Sequence, residues 1–173
     1  MLLNVLIFAI SNGLNSTIES FCSWDFGQHK NEECGYHLNR ARIIVVLVLL
    51  PVFISFFWMD SILVSLGQNP EMSLIARNYC VWVLPGVFMI IQFDCTKRLL
   101  QSIQESQIST TVQFVTTVTH VGLCILFIMI LKLEIFGAAL AMNCTYGAAF
   151  LIQEFYIRVY ASDYFSEFLQ PLF

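Results

Sequence analysis

The sequence predicts an all-α polytopic membrane protein with five transmembrane helices. Three observations carry this. Charged residues make up only 12% of the 173-residue chain and hydrophobic residues 58%, whereas soluble domains average about 25% charged. The mean hydropathy is +0.75. Five stretches, 3–26, 41–59, 76–100, 108–131 and 135–158, suit a hydrocarbon layer that takes about 20 apolar residues of helix to cross.

The second stretch is the clearest, with no charge from Ile43 to Met59. The polar segment 27–40 separates it from the first. Residues 60–75 hold "SLGQNPE", a helix restart: Asn69 as N-cap, Pro70 at the first helical position, Glu71 at the positive dipole end. Residues 105–107 and 133–134 read as tight turns. The tail, 159–173, alternates acids with aromatics and leucine, and predicts an interfacial cytoplasmic segment, not a sixth span. The N-terminus lacks the basic flank and small-residue cleavage site of a secretory signal. It is expected to remain as the start of the first helix.

Basic residues give the orientation. With the first loop cytoplasmic, that side collects Lys30, Arg40, Arg42, Lys97, Arg98 and Arg158, and the other only Arg77 and Lys132. This is the asymmetry of the positive-inside rule. Trp24 then falls near the inner interface, and Trp58 and Trp82 near the outer.

Several function classes find no support. No basic tract interleaved with aromatics suggests nucleic acid. The six cysteines are scattered singly and read as small buried hydrophobes. His29, Cys34 and His37 in "HKNEECGYH" fit no structural-zinc spacing, so a polar loop is the better reading. No nucleophile elbow, HExxH, P-loop or GxGxxG motif occurs, which weakens an enzyme reading. Two glycosylation sequons, at Asn15 and Asn143, fall inside predicted spans and are discounted.

Polar residues inside the spans are the candidate site. Asn12, Asn15, Glu19 and Ser23 recur every three or four residues, so one helix face carries them. Glu19 lies about 12 Å inside the inner end of its span. An isolated charge at such depth costs at least ~2.5 kcal/mol, so Glu19 must face protein or a wet cavity. Proton coupling needs such a carboxylate; the structural alternative is a hydrogen bond to a neighbouring helix. The fourth span repeats the pattern with Gln113, Thr116, Thr117, His120 and Cys124. Its threonines are expected to satisfy their own backbone, and His120 either to titrate or to bridge helices. In the third span, Pro85 and Gly86 predict a kink, and Gln92 and Asp94 follow. Asp94 is expected to pair locally with Lys97 or Arg98. In the fifth span "GAALAMN" gives a small-residue packing face that Asn143 and Tyr146 extend. Gln153 and Glu154 read as a solvated inner end.

These residues resemble a family. "ESFCSWDFGQHK" with "GYHLNRAR" looks like the end of helix 2 and the following loop of multidrug and toxic compound extrusion (MATE) transporters. "LGQNPEMSLIARNYCVWVLPGVF" resembles the family's Leu-Gly-Gln-(Asp/Asn)-Pro-Glu segment and helix 4. "KRLLQSIQ" resembles its Arg-(Phe/Tyr)-Leu-Gln-(Ala/Ser)-Gln, one residue longer here. "GAALAMNCTYGAAFLI" is similar to the start of helix 6. The matches occur in family order across nearly the whole chain, and the eukaryotic branch fits best. Trp24 and Asp25 depart from the usual Gln-Ala, and Cys124 stands where bacterial members can have an acid. Glu19 takes the acid position of the helix 2 motif, and His120 a position where eukaryotic members often have histidine.

The resemblance implies a twelve-helix antiporter of two six-helix lobes, exchanging organic cations or metabolites for H+ or Na+. This chain would supply helices 2–6 of an incomplete N-terminal lobe in a lipid bilayer, with the first helix and second lobe as partners. The cavity candidates are Glu19, Asn15, Gln92, Gln113, His120, Asn143 and Tyr146, with no metal or organic cofactor expected. The competing expectation is a non-transporting membrane fragment that binds a full-length relative. An intramembrane enzyme or lipid flippase comes third, and no basic residue buried in the spans offers a headgroup site.

Overall fold

The structure is a computed structural model that describes residues 2–160, with side chains from 7 to 159. All but the first residues of the expected interfacial tail lie outside it. Six helices follow one another: α1 (Leu2–Gly27), α2 (Asn31–Ser55), α3 (Met59–Ser65), α4 (Pro70–Ser102), α5 (Ser106–Cys124) and α6 (Glu134–Tyr160). A single 3-10 turn, Phe56–Trp58, carries α2 into α3, so the two make one crossing. Among the described residues, four segments are long and apolar enough to span a membrane: Asn31–Ser65, Pro70–Ser102, Ser106–Ile130 and Glu134–Val159. The fifth bundle helix, α1, is not among them. Its 26 residues extend about 39 Å at 1.5 Å per residue, but Ser11, Asn12, Asn15 and Glu19 lower its hydropathy.

The first loop is shorter than the polar composition of 27–40 suggests. Only Gln28–Lys30 are non-helical, and α2 starts at Asn31. Glu32 and Glu33 in its first turn complement the positive end of the dipole. The buried Cys34, Gly35 and Leu38 pack this extension onto the bundle. Cys22 and Cys34 close the α1–α2 hairpin: each thiol meets the other residue's backbone carbonyl, at 3.8 and 3.5 Å. His37 stacks on Phe21 and lies 3.0 Å from Asp25. Two of the three loop residues weighed as metal ligands, Cys34 and His37, thus have protein partners.

The restart before α4 has the expected chemistry. Gly67 takes φ +88, the Asn69 side chain accepts from the Glu71 amide at 2.9 Å, and Pro70 opens the helix. The chain then makes α4 its central strut, in contact with every other helix. Val83, Val87, Ile91, Cys95 and Leu99, four residues apart, form its buried face. The small residues of α6 permit close approach, with Ala139, Ala141 and Ala149 buried.

At Pro85 α4 continues as one helix. Proline and glycine loosen the ladder there, and α6 repairs it. The Asn143 side chain accepts from the Gly86 N–H at 2.7 Å and donates to the Trp82 carbonyl at 2.7 Å. In an uninterrupted helix those two groups would bond each other. Gly86 is required for this approach. A Cβ at that position would collide with Asn143 Oδ1 and stand 2.9 Å from Asn143 Cα.

The fourth span is not uniform. After α5 the chain widens into a π-helical turn, Ile125–Ile130. The Leu131 amide reaches back to the Leu126 carbonyl at 3.0 Å and the Leu133 amide to Phe127 at 3.1 Å. Gly137 of α6 abuts that turn; a Cβ there would lie 2.9 Å from the Phe127 carbonyl oxygen. Hydropathy alone carries no trace of the change in winding.

The α4–α6 contact gives a stability test. Gly86→Ala is expected to cost about 1–3 kcal/mol by overpacking. Asn143→Ala should cost a similar amount by removing the partner of the Gly86 N–H and of the Trp82 carbonyl. The double variant should lose less than the sum, because removing the Asn143 amide relieves the clash of the new methyl with Oδ1, although the contact with Cα stays. Thermal unfolding of the detergent-solubilised variants reads this; strict additivity would contradict the contact.

Candidate functional site

A cavity of about 260 Å³ lies between α1, α4, α5 and α6. The face of α5 that carries Gln113, Thr116 and Thr117 forms one wall, and Thr145 and Tyr146 of α6 another. Asp94 enters from α4 and Phe8 from α1. Two predicted candidates, Gln113 and Tyr146, therefore meet here.

The hydroxyl protons of the threonines are engaged within their own helices. Thr116 donates to the Val112 carbonyl at 2.8 Å, Thr117 to Gln113 at 2.7 Å and Thr145 to Ala141 at 2.8 Å. Each oxygen keeps lone-pair capacity. His120 stands behind this wall. Its Nδ1 lies 2.9 Å from Thr145 Oγ1 and its Nε2 3.5 Å from Cys124 Sγ. Because the Thr145 proton already goes to Ala141, the arrangement calls for Nδ1–H as donor, with Nε2 accepting from the thiol. His120 thus ties α5 to α6.

The other candidates sit elsewhere. Glu19 pairs with Arg98 at 3.0 Å, and the same guanidinium donates to Asn12 at 3.3 Å. The acid of the opening span is therefore a neutralised partner on the α1–α4 seam. Asn15 is fully buried, 3.4 Å from Ser11 Oγ and 3.3 Å from Cys95 Sγ. Gln92 lines a separate groove of about 420 Å³ with Arg42 and Phe88. Asn143 has both ends of its amide committed to α4. Neither sequon asparagine is free.

Two expectations are overturned. Asp94 does not pair with its neighbours in sequence. Arg98 is drawn to Glu19, and Lys97 donates to Gln113 Oε1 at 2.8 Å. Among the described residues Asp94 has neither a hydrogen bond nor an ion pair. Helical proximity brought the charges near, but partners on other helices won them. Nor are Gln153 and Glu154 solvated. Gln153 is fully buried and donates to the Phe93 carbonyl. Glu154 is 8% exposed and joins Arg42 of α2, Thr96 of α4 and, more loosely, Arg158. Asp94 lines the cavity, where local reasoning expected an ion pair. Its signal was present, since it is the sole acid of stretch 76–100.

Comparison with known proteins bears on this geometry. Residues 1–126 match the MatE family model. The chain belongs to the MatE family. It is 28% identical over 161 residues to Protein DETOXIFICATION 33 of Arabidopsis thaliana, covering 91% of this chain and 33% of that one. Protein DETOXIFICATION 5 of the same plant is 30% identical over 156 residues, with 90% and 32% covered. The crystal structure of the eukaryotic MATE transporter AtDTX14 superposes with a TM-score of 0.89 at 20% identity, covering 98% of this chain and 38% of that one. The fold is thus that of a MATE transporter, and the protein is an integral multi-pass membrane protein. The chain spans about a third of the length of the DETOXIFICATION relatives it matches.

Within this MatE chain, the Arg42–Glu154 pair holds α2 to α6 with both side chains largely buried, at 20% and 11% exposed. Glu154→Gln is expected to cost about 3 kcal/mol or more, because it strands a buried guanidinium. Replacing both residues together, Arg42→Met with Glu154→Leu, should recover most of that loss. Denaturant unfolding in mixed micelles measures both.

Proposed function

We propose that this chain forms helices 2–6 of the N-terminal lobe of a secondary antiporter. It exports organic cations or other xenobiotics in exchange for H+ or Na+. The observation that carries the reading is family membership joined to an oxygen-lined cavity between α1, α4, α5 and α6. Interior polar groups of this kind are expensive in a membrane and mark solute or ion pathways. Four spans of high hydropathy support the lipid bilayer as its surroundings. The basic residues Lys30, Arg40, Arg42, Lys97, Arg98 and Arg158 support a cytoplasmic position for the end where α1 meets α2.

Proteoliposomes test the reading. A fluorescent organic cation should move against an imposed pH or Na+ gradient and stop when the gradient is collapsed. His120→Ala should lower the rate several-fold by releasing α5 from α6, and Glu19→Gln should lower it by loosening the α1–α4 seam. Transport indifferent to both ion gradients would refute antiport.

A further inference from the structure

We infer that the groove between α2 and α6, floored by α4, binds one phospholipid with an anionic headgroup. Its ester oxygens meet Gln92 and Arg42, its acyl chain lies against α2, and its phosphate reaches Arg158. The inference concerns the lipid around the protein and does not depend on what the chain transports. Three observations carry it.

The first is an unsatisfied floor. Gln92 lines the groove and is 8% exposed. Among the described residues its side-chain amide has no hydrogen-bond partner, a costly state for a polar group in a bilayer. Arg42 beside it commits Nη2 to Thr96 and Glu154, and Nη1 has no partner among the described residues. The floor therefore presents N–H donors that call for acceptor oxygens.

The second is shape. The groove holds about 420 Å³, inside the roughly 300–1,000 Å³ of small-molecule sites, which are mostly apolar with a few placed polar groups. Ile43, Leu47, Phe88 and Phe150 supply the apolar walls. Ile43 and Leu47 are more than half exposed, so the groove opens sideways into hydrocarbon, where an acyl chain continues.

The third is charge at the mouth. Phe150, Glu154 and Arg158 follow one another at intervals of four on α6, so one face carries them from the groove to the helix end. Glu154 is held by Arg42, and its contact with Arg158 is loose, at 3.9 Å. The Arg158 side chain is 72% exposed. It thus offers a cation about 6 Å beyond the polar floor, at the end where the basic residues collect. Cation, donors and apolar wall come in the order in which a phospholipid presents phosphate, esters and chain. The same cation and donors disfavour an organic cation as occupant.

The experiment titrates the detergent-solubilised protein with phosphatidylserine or phosphatidylcholine of identical chains and counts bound lipid by native mass spectrometry. The wild type is expected to hold one phosphatidylserine, favoured about fivefold over phosphatidylcholine. Arg158→Gln should abolish that preference. Gln92→Leu should weaken both lipids several-fold, because the esters are common to both. It should not lower the melting temperature of the lipid-free protein, because it removes no protein hydrogen bond. Arg40 is the control, an exposed cation of α2 that borders a different groove, against α1. Arg40→Gln should leave both affinities unchanged. The inference is overturned if Arg40→Gln and Arg158→Gln act alike, which would mean general attraction to a basic end. It is also overturned if Gln92→Leu binds lipid as the wild type does, or melts lower when lipid-free. Lipid-free dimers that Leu47→Trp dissociates would assign the groove to a second copy instead, and displacement of the lipid by a fluorescent organic cation would assign it to a transported solute.

Discussion

The bundle depends on one amide. Asn143 of α6 holds the carbonyl of Trp82 and the amide of Gly86 in α4, the two groups that Pro85 and Gly86 place at risk. A backbone polar group left unpaired among lipid-facing helices costs several kcal/mol. The side chain that removes this cost also fixes the register of the central helix against its most extensive neighbour. Gly86 has to be small for Asn143 to arrive, and Ala139 and Ala141 let α6 come close. The remaining seams of α4, to α1 through Arg98 and Glu19 and to α2 through Thr96 and Arg42, presuppose that register.

Charges inside the bundle obey one rule with one exception. Glu19 has Arg98, Glu154 has Arg42, and Lys97 has the amide oxygen of Gln113. Each pairing joins two helices and closes a seam, and the two ion pairs also neutralise their charges. Asp94 follows neither half of the rule among the described residues. Glu154, five residues along α6 from the buried Ala149 that borders the same cavity, shows how fully a carboxylate in this bundle can be paired.

Much of the fold was legible. Apolar run length marks the crossings because lipid imposes a length, and the Asn69–Pro70–Glu71 restart was readable because capping is local chemistry. The segment 27–40 was misjudged as loop because its charges obscure a helix that simply extends beyond the membrane. The π-turn at Ile125–Ile130 leaves no trace in a run of uniformly apolar residues. For the site, helical periodicity correctly grouped Gln113, Thr116 and Thr117 on one face, and it grouped Asn12 with Glu19. It could not say which helix each face would meet. That is why Glu19 turned out to be neutralised and Asp94 to be left unpaired. Salt-bridge choice is a long-range competition, and sequence neighbours win it only when nothing better packs alongside.

The walls of the cavity are not equally fixed. In the crossing Ser106–Ile130 only 6% of the apolar window is buried, against 28% for each of the crossings formed by α4 and α6. Buried α5 side chains are confined to Ser109, Val112 and Thr116. Phe114, Val115, Val118 and Val121 turn outward. Beside Val112, which packs with Phe93 and Ala149, α5 is held by its polar side: Lys97 on Gln113 at one end, His120 on Thr145 at the other, then the π-turn against Gly137. An element with few buried apolar contacts separates at low free energy. Its restraints here are largely hydrogen bonds. The wall that carries more of the cavity's side-chain oxygens than any other is thus also the one with the fewest buried apolar contacts to hold it.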